Sequence, residues 1–243
     1  MTAYYNEIDP YAAQWLRNLI AAGHIAPGDV DERSIEDVYP DDLRGYTQCH
    51  FFAGIGVWSY ALRRAGWPDD RPVWTGSCPC QPFSATGKGA GFDDERHLWP
   101  AWHHLIQERR PAEIFGEQVA SKDSGPWIDL VHTDLEALGY AFGAIPFPSA
   151  GIGAPHIQDR TYWVADSDNA GLEGRVLCVS ECSIELPPWA SGVAVRGRDG
   201  RERLIEPGLL PLAHGVASRA GRLRAYGKAI NAQAAEAFIR AAM

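Results

Sequence analysis

The sequence predicts an α/β domain built on a mostly parallel sheet with helices on both faces. Short apolar runs alternate with amphipathic stretches from residue 49 to residue 165. The chain of 243 residues is 46% hydrophobic, enough to bury a full core. No internal repeat or low-complexity tract interrupts the alternation, and strands alternating with helices imply parallel pairing and coverage of both sheet faces.

Residues 10 to 23 place Ala12, Trp15, Leu16, Leu19 and Ile20 at helical spacing, with Pro10 near the start and Gly23 at the end. The apolar run at 49–53 stops at Gly54, and Trp58 to Ala65 continues as a helix closed by Gly66. Val73 to Cys78 is a second strand, and residues 81–91, rich in Gly and Ser, form a loop. Helix 98–109, strand 112–116, helix 125–138, strand 140–147 and strand 160–165 follow. Periodicity then fades until a last helix at 228–242. Residues 1–166 and 216–243 are expected to form one catalytic domain and residues 167–215 a small lobe.

The net charge is −9, unevenly distributed. Residues 1–45 hold nine acids against three arginines, a balance of −6, whereas residues 196–228 hold eight Lys or Arg against three acids, a balance of +5. A local basic face of that kind suits phosphates even on an acidic protein, and a solvated basic segment reads the same way. No stretch approaches the roughly 18 to 20 apolar residues of a membrane span, and MTAYYNEIDP lacks the layout of a signal peptide. A soluble, cytoplasmic monomer with no membrane partner is expected. Five cysteines form an odd set that argues against a disulfide framework. A zinc site from Cys78, Cys80, Cys178 and Cys182 would need unusual spacings stiffened by Pro79, so no metal is expected.

Gly76-Ser-Cys-Pro-Cys-Gln-Pro-Phe-Ser84 sets Cys80 between two prolines, directly after a strand, where open parallel sheets build their sites. PCQPFS closely resembles the nucleophile motif of the DNA cytosine-C5 methyltransferases, short bacteriophage-type members above all. Phe52-Ala53-Gly54-Ile55-Gly56 resembles that family's donor-binding turn, and Gly116-Glu-Gln-Val119 its Glu-Asn-Val motif. Residues 153–164 resemble its Gln-x-Arg-x-Arg strand, with His156, Gln158 and Arg160 at the motif positions. Tyr226-Gly-Lys-Ala-Ile230 resembles its closing Gly-Asn-x-Val motif.

The resemblance implies a Rossmann-like methyltransferase fold and S-adenosyl-L-methionine as donor, with double-stranded DNA as substrate. It implies Cys80, Glu117 and Arg160 as the catalytic set, and Phe52 to Gly56, Pro79 and Lys228 around the donor. Gln81, Ser84, Lys88, Arg96 and Gln158 fall to the DNA side, and the arginine-bearing lobe to the duplex. The acids that normally meet the donor's ribose and adenine do not fit in the roughly twenty residues between Gly56 and Cys78. Upstream, residues 6–12 resemble the ribose motif, with Glu7 as ligand, and residues 29–35 the adenine motif, with Asp31 ahead of Asp29. The order is therefore expected to be circularly permuted.

The implied chemistry is covalent. Cytosine C5 is a poor nucleophile until a thiolate adds at C6, and a carboxylic acid at N3 stabilises the charge this builds. The sequence departs from the family at Val57, Gln118, Gln158 and Lys228. An ammonium beside a sulfonium costs roughly 1 to 4 kcal/mol at about 4 Å. A donor carrying a carboxylate would instead pair with Lys228, which brings in carboxy-S-adenosyl-L-methionine and 5-carboxymethylcytosine as the alternative. Gln118 and Gln158 equally fit a homologue that binds DNA or donor with impaired catalysis.

Overall fold

The computed structural model describes residues 2–79, 98–120, 124–154, 158–167, 193–196, 200, 202–205 and 229–243. Its centre is a seven-stranded sheet. In chain order the strands are β1 (Thr2–Asn6), β2 (Gly28–Asp31), β3 (Tyr46–Phe51), β4 (Val73–Gly76), β5 (Glu113–Val119), β6 (Ala141–Pro146) and β7 (Arg160–Asp166), and in space they run β2-β1-β3-β4-β5-β7-β6. The first five are mutually parallel, and β7 runs antiparallel to both β5 and β6. The mostly parallel sheet expected from the alternation is present. A separate hairpin pairs β8 (Val193–Arg196) with β9 (Glu202–Ile205), inside the span assigned to the small lobe.

Alternate residues of each strand enter opposite layers, as the period of two requires. Tyr4, Cys49, Phe51, Trp74, Ile114 and Trp163 point to the layer of α3 (Trp99–Arg109) and α4 (Gly125–Ala137), where Trp99, Trp102 and Trp127 pack among them. Tyr5, Val73, Phe115 and Tyr162 point to the layer of α1 (Pro10–Ala21), α2 (Val57–Ala65) and the C-terminal helix α5 (Ala232–Ala242). Both layers are aromatic: in the first, Trp99, Trp102 and Trp163 meet ring to ring, with centroids 5.6 to 6.5 Å apart, and in the second Trp58 stacks on Phe115. Two indoles lie so close to the sheet that the adjacent pair Gly76 and Gly116 has no room for a side chain. A methyl on Gly116 would sit 2.0 Å from Trp163, and one on Gly76 2.4 Å from Trp102.

The helices start and stop on local chemistry. Asp9 caps α1 by accepting from the amides of Tyr11 and Ala12, and Asn231 caps α5 through Gln233 and Ala234. Each such cap contributes about 1 kcal/mol. The expected start of the last helix at 228 therefore moves to Ala232, because Asn231 takes the cap position. Two strands that periodicity does not reveal, β1 and β2, occupy one flank of the sheet. Between β2 and β3 the chain makes two 3-10 turns, Ile35–Asp37 and Pro40–Leu43, which bury Ile35 and Leu43.

Candidate active site

The C-terminal ends of β1, β3, β4 and β5 converge on one edge of the sheet, and β7, being antiparallel, begins there. This is where open α/β sheets bind ligands. A cleft opens there, lined by Glu7, Asp9, Tyr11, Ala12, Phe52, Ala53, Gly54, Ile55, Val57, Trp58, Ser77, Ala229 and Ile230.

One wall is the turn after β3. Phe52, Gly54 and Gly56 all adopt positive φ, at 50°, 55° and 79°. Space beside Gly54 is open, whereas a methyl on Gly56 would meet Leu16 at 3.0 Å, so Gly56 packs against α1 instead of lining the cleft. The Glu7 carboxylate reaches across from the end of β1 to accept from the amide of Gly54 at 2.7 Å and of Asp9 at 2.9 Å. It is an anion held in the mouth of the cleft, a group suited to hydroxyl donors such as those of a ribose.

Asp31 does not line the cleft. Its carboxylate accepts from the Tyr4 hydroxyl at 2.7 Å and from the backbone and guanidinium of Arg33, the shortest contact being 2.6 Å. Asp29 also lies outside the cleft wall and accepts from Tyr46. Asp31, the expected adenine ligand, stands at the end of the edge strand β2, where Arg33 folds back onto its carboxylate. Pro79 likewise lies outside the cleft wall, where Ser77 stands in its place.

Beside the cleft, Glu117 is buried near the end of β5, with 7% of its side chain exposed, and Arg160 Nε lies 2.6 Å from its Oε1. Burial pushes the Glu117 carboxyl up to about 7, against the opposing pull of the Arg160 charge and a hydrogen bond from Ser77. The Ser77 oxygen accepts from the Trp58 indole at 3.1 Å, which leaves its proton for the carboxylate. Gln118 faces away from this pair. Its amide donates to the carbonyl of Cys78 at 3.3 Å while its own oxygen accepts from Val119 N, tying the segment that leads to Cys80 onto β5. Gln158, expected on the DNA side, donates instead to the carbonyl of Ala229 at 3.1 Å.

Cys80, Gln81, Ser84, Lys88, Arg96 and Lys228 lie outside the described residues, as does His156. The structure therefore brings together Glu7, Phe52 to Ile55, Glu117 and Arg160, and the neighbours Cys78 and Ala229 bracket the positions of Cys80 and Lys228 in sequence. Trp58, Ser77, Asp9 and Tyr11 were missed by sequence reasoning. Their only signal is spatial, since α1 and α2 begin at the cleft. No group of three or more His, Cys, Asp or Glu able to hold a metal occurs among the described residues.

Residues 63–173, which carry the Cys80, Glu117 and Arg160 motifs, match the model of the C-5 cytosine-specific DNA methylases. Over that segment the chain is similar to that family. Curated proteins similar to this chain include the type II methyltransferase M.HhaI of Haemophilus parahaemolyticus, 29% identical over 108 residues, which are 43% of this chain and 33% of the relative. M.NgoBI of Neisseria gonorrhoeae is 33% identical over 104 residues, covering 41% of this chain and 33% of the relative. M.HaeII of Haemophilus aegyptius is 29% identical over 145 residues, covering 57% and 46%. The matched part of the chain thus spans between a third and a half of these relatives' length. Among solved structures, a Spodoptera frugiperda DNMT2 mutant aligns with a TM-score of 0.47 at 16% identity, over 69% of this chain and 43% of that one.

Proposed function

We propose that this methylase-family chain alkylates C5 of cytosine in double-stranded DNA, with Cys80 as transient nucleophile and Glu117 as the acid at N3. The observation that carries the reading is a buried glutamic acid, held near neutrality and oriented by Arg160, at the edge of a cleft walled by a glycine turn and an anionic Glu7.

The target base must leave the duplex stack to reach this edge, at a cost of about a few kcal/mol. Cys80, as thiolate, forms a bond to C6 while Glu117 hands its proton to N3, so no net charge accumulates in the ring. The bound donor supplies an electrophilic carbon on a sulfonium. C5 takes this carbon as the sulfonium sulfur leaves as a neutral thioether and N3 returns its proton to Glu117; a solvent base then takes the C5 proton, and the C–H electrons re-form the C5–C6 double bond and expel Cys80 as thiolate. Arg160 keeps the carboxyl aimed throughout. Gln118 fixes the carbonyl two residues before the nucleophile, the task of the asparagine it replaces in the resembled motif.

The donor cleft accords with S-adenosyl-L-methionine: Glu7 suits the ribose, and the open turn at Gly54 admits the methionine part. Because Ala229 and Ile230 line the same cleft, Lys228 directly before them is well placed in sequence to select a carboxylate-bearing donor, and we assign carboxy-S-adenosyl-L-methionine as the alternative substrate. A circularly permuted chain order accounts for Glu7. Doubly wound sheets run 3-2-1-4-5 in space, and here the strand in position 1 is the third in sequence.

The test is incubation with duplex DNA and each donor, followed by nucleoside mass spectrometry. 5-Methylcytosine or 5-carboxymethylcytosine is expected with the wild-type chain and neither with Cys80→Ser. If Lys228→Asn leaves donor preference unchanged, the carboxymethyl assignment fails. Failure to trap 5-fluorocytosine DNA covalently would favour instead a binding homologue with impaired catalysis, the reading that Gln118 and Gln158 raise.

A further inference from the structure

We infer that Gln158 is a positioning residue of the donor cleft, holding its 229–230 wall in place, and that it contributes nothing to DNA affinity. The inference rests on the reading of the cleft as the donor site.

Three observations meet at this residue. Its φ is 36°, in the left-handed region that side-chain-bearing residues seldom occupy, and neither glycine nor asparagine is there to ease it. Such backbone persists only where the surroundings hold it. Its side-chain amide spans 71 residues of sequence to donate to the carbonyl of Ala229 at 3.1 Å. Ala229 and Ile230 are themselves cleft wall, with Ile230 anchored in the core beside Trp58 and Ala234.

The wall segment is therefore fixed at two points. On one side Asn231 caps α5 through the amides of Gln233 and Ala234; on the other the Gln158 amide holds the Ala229 carbonyl. Gln158 lies two residues before Arg160, which is paired with Glu117. One short stretch of chain thus orients the acid on the base side with a guanidinium and the donor wall with an amide. The resembled motif carries an arginine at this position, a cation able to hold a phosphate. A neutral amide offers a phosphate no charge, and here its nitrogen is engaged within the protein.

Gln158→Gly tests this in the full chain, because glycine adopts the left-handed turn freely and only the amide is removed. S-adenosylhomocysteine titrated calorimetrically is the donor-site probe, and a fluorescent duplex reports DNA affinity. Loss of one hydrogen bond is expected to raise the S-adenosylhomocysteine Kd about three- to tenfold. Duplex affinity should stay unchanged, and the thermal midpoint should fall by no more than about 4 °C. Unchanged S-adenosylhomocysteine affinity, or a fall in duplex affinity instead, overturns the assignment. If the wild-type chain does not bind the probe, it is the donor-cleft reading that fails.

Discussion

Arg160 Nε and Glu117 Oε1 approach to 2.6 Å across neighbouring antiparallel strands, in a pair with 16% and 7% of the two side chains exposed. Removing one partner of such a pair strands a charge in the interior, so each side chain is committed to the other. Glu117 keeps a carboxyl near 7 because burial outweighs the arginine's pull.

Activity should therefore decline above about pH 7, where Glu117 loses its proton. Glu117→Gln is expected to lower kcat by roughly 100-fold or more and to abolish that decline. For stability the sign is opposite to that of a salt-bridged surface carboxylate: the folded state holds the proton longer than the unfolded one, so stability falls as pH rises from 4.5 to about 7. Chemical denaturation of wild type and variant at pH 5 and 8 checks this, with the variant relatively more stable at pH 8.

Glu7 holds the Gly54 and Asp9 amides with a carboxylate. Glu7→Ala should weaken S-adenosylhomocysteine binding by about tenfold or more, since hydrogen bonds to a charged group contribute about 1.5 to 3 kcal/mol. Duplex binding in the absence of donor should be unaffected, as a parallel gel-shift titration would establish.

His50 is buried in β3, where its Nδ1 meets the Thr75 hydroxyl at 2.8 Å and its ring stacks on Tyr5. Burial drives its pKa down to about 3, only weakly opposed by Asp69. The unfolded chain binds the extra proton first, so this position's stability contribution is complete above pH 6.5 and declines as pH falls toward about 3, by about 1.4 kcal/mol per pH unit. Urea midpoints measured from pH 7 to pH 4 should show a shallower decline in His50→Gln.

Gly116→Ala drives a methyl into the Trp163 indole and is expected to cost about 1 to 3 kcal/mol or more. Gly125→Ala, where the added methyl meets nothing within 4 Å, serves as control and should leave the thermal midpoint nearly unmoved.

The helices were legible because their cues are local: Pro10 and Gly23 bracket α1, and residues 99–109 and 125–137 carry apolar periodicity. β1 and β2 were legible only through the resemblance of the segments that follow them, since TAYYN lacks clear alternation and GDVD is half acidic, and both pair with partners distant in sequence. Glu117 and Arg160 were singled out only through the resemblance of their segments to family motifs. The contacts of Asp31 with Arg33 and Tyr4 were not legible, because they are decided in space. Ser77 was invisible for a similar reason: Gly76 pairs with Gly116, and only that register sets Ser77 next to Glu117. Gln158 looked like a weakened arginine until its bond to Ala229 was seen.

The ladder between β5 and β7 pairs Glu117 with Tyr162 and Val119 with Arg160, so acid and guanidinium meet on the diagonal. Side chains change faces at every step along a strand, and one added residue between Arg160 and Tyr162 would send the guanidinium to the opposite layer. An insertion at this place would therefore part the two side chains even if the ladder re-formed around it.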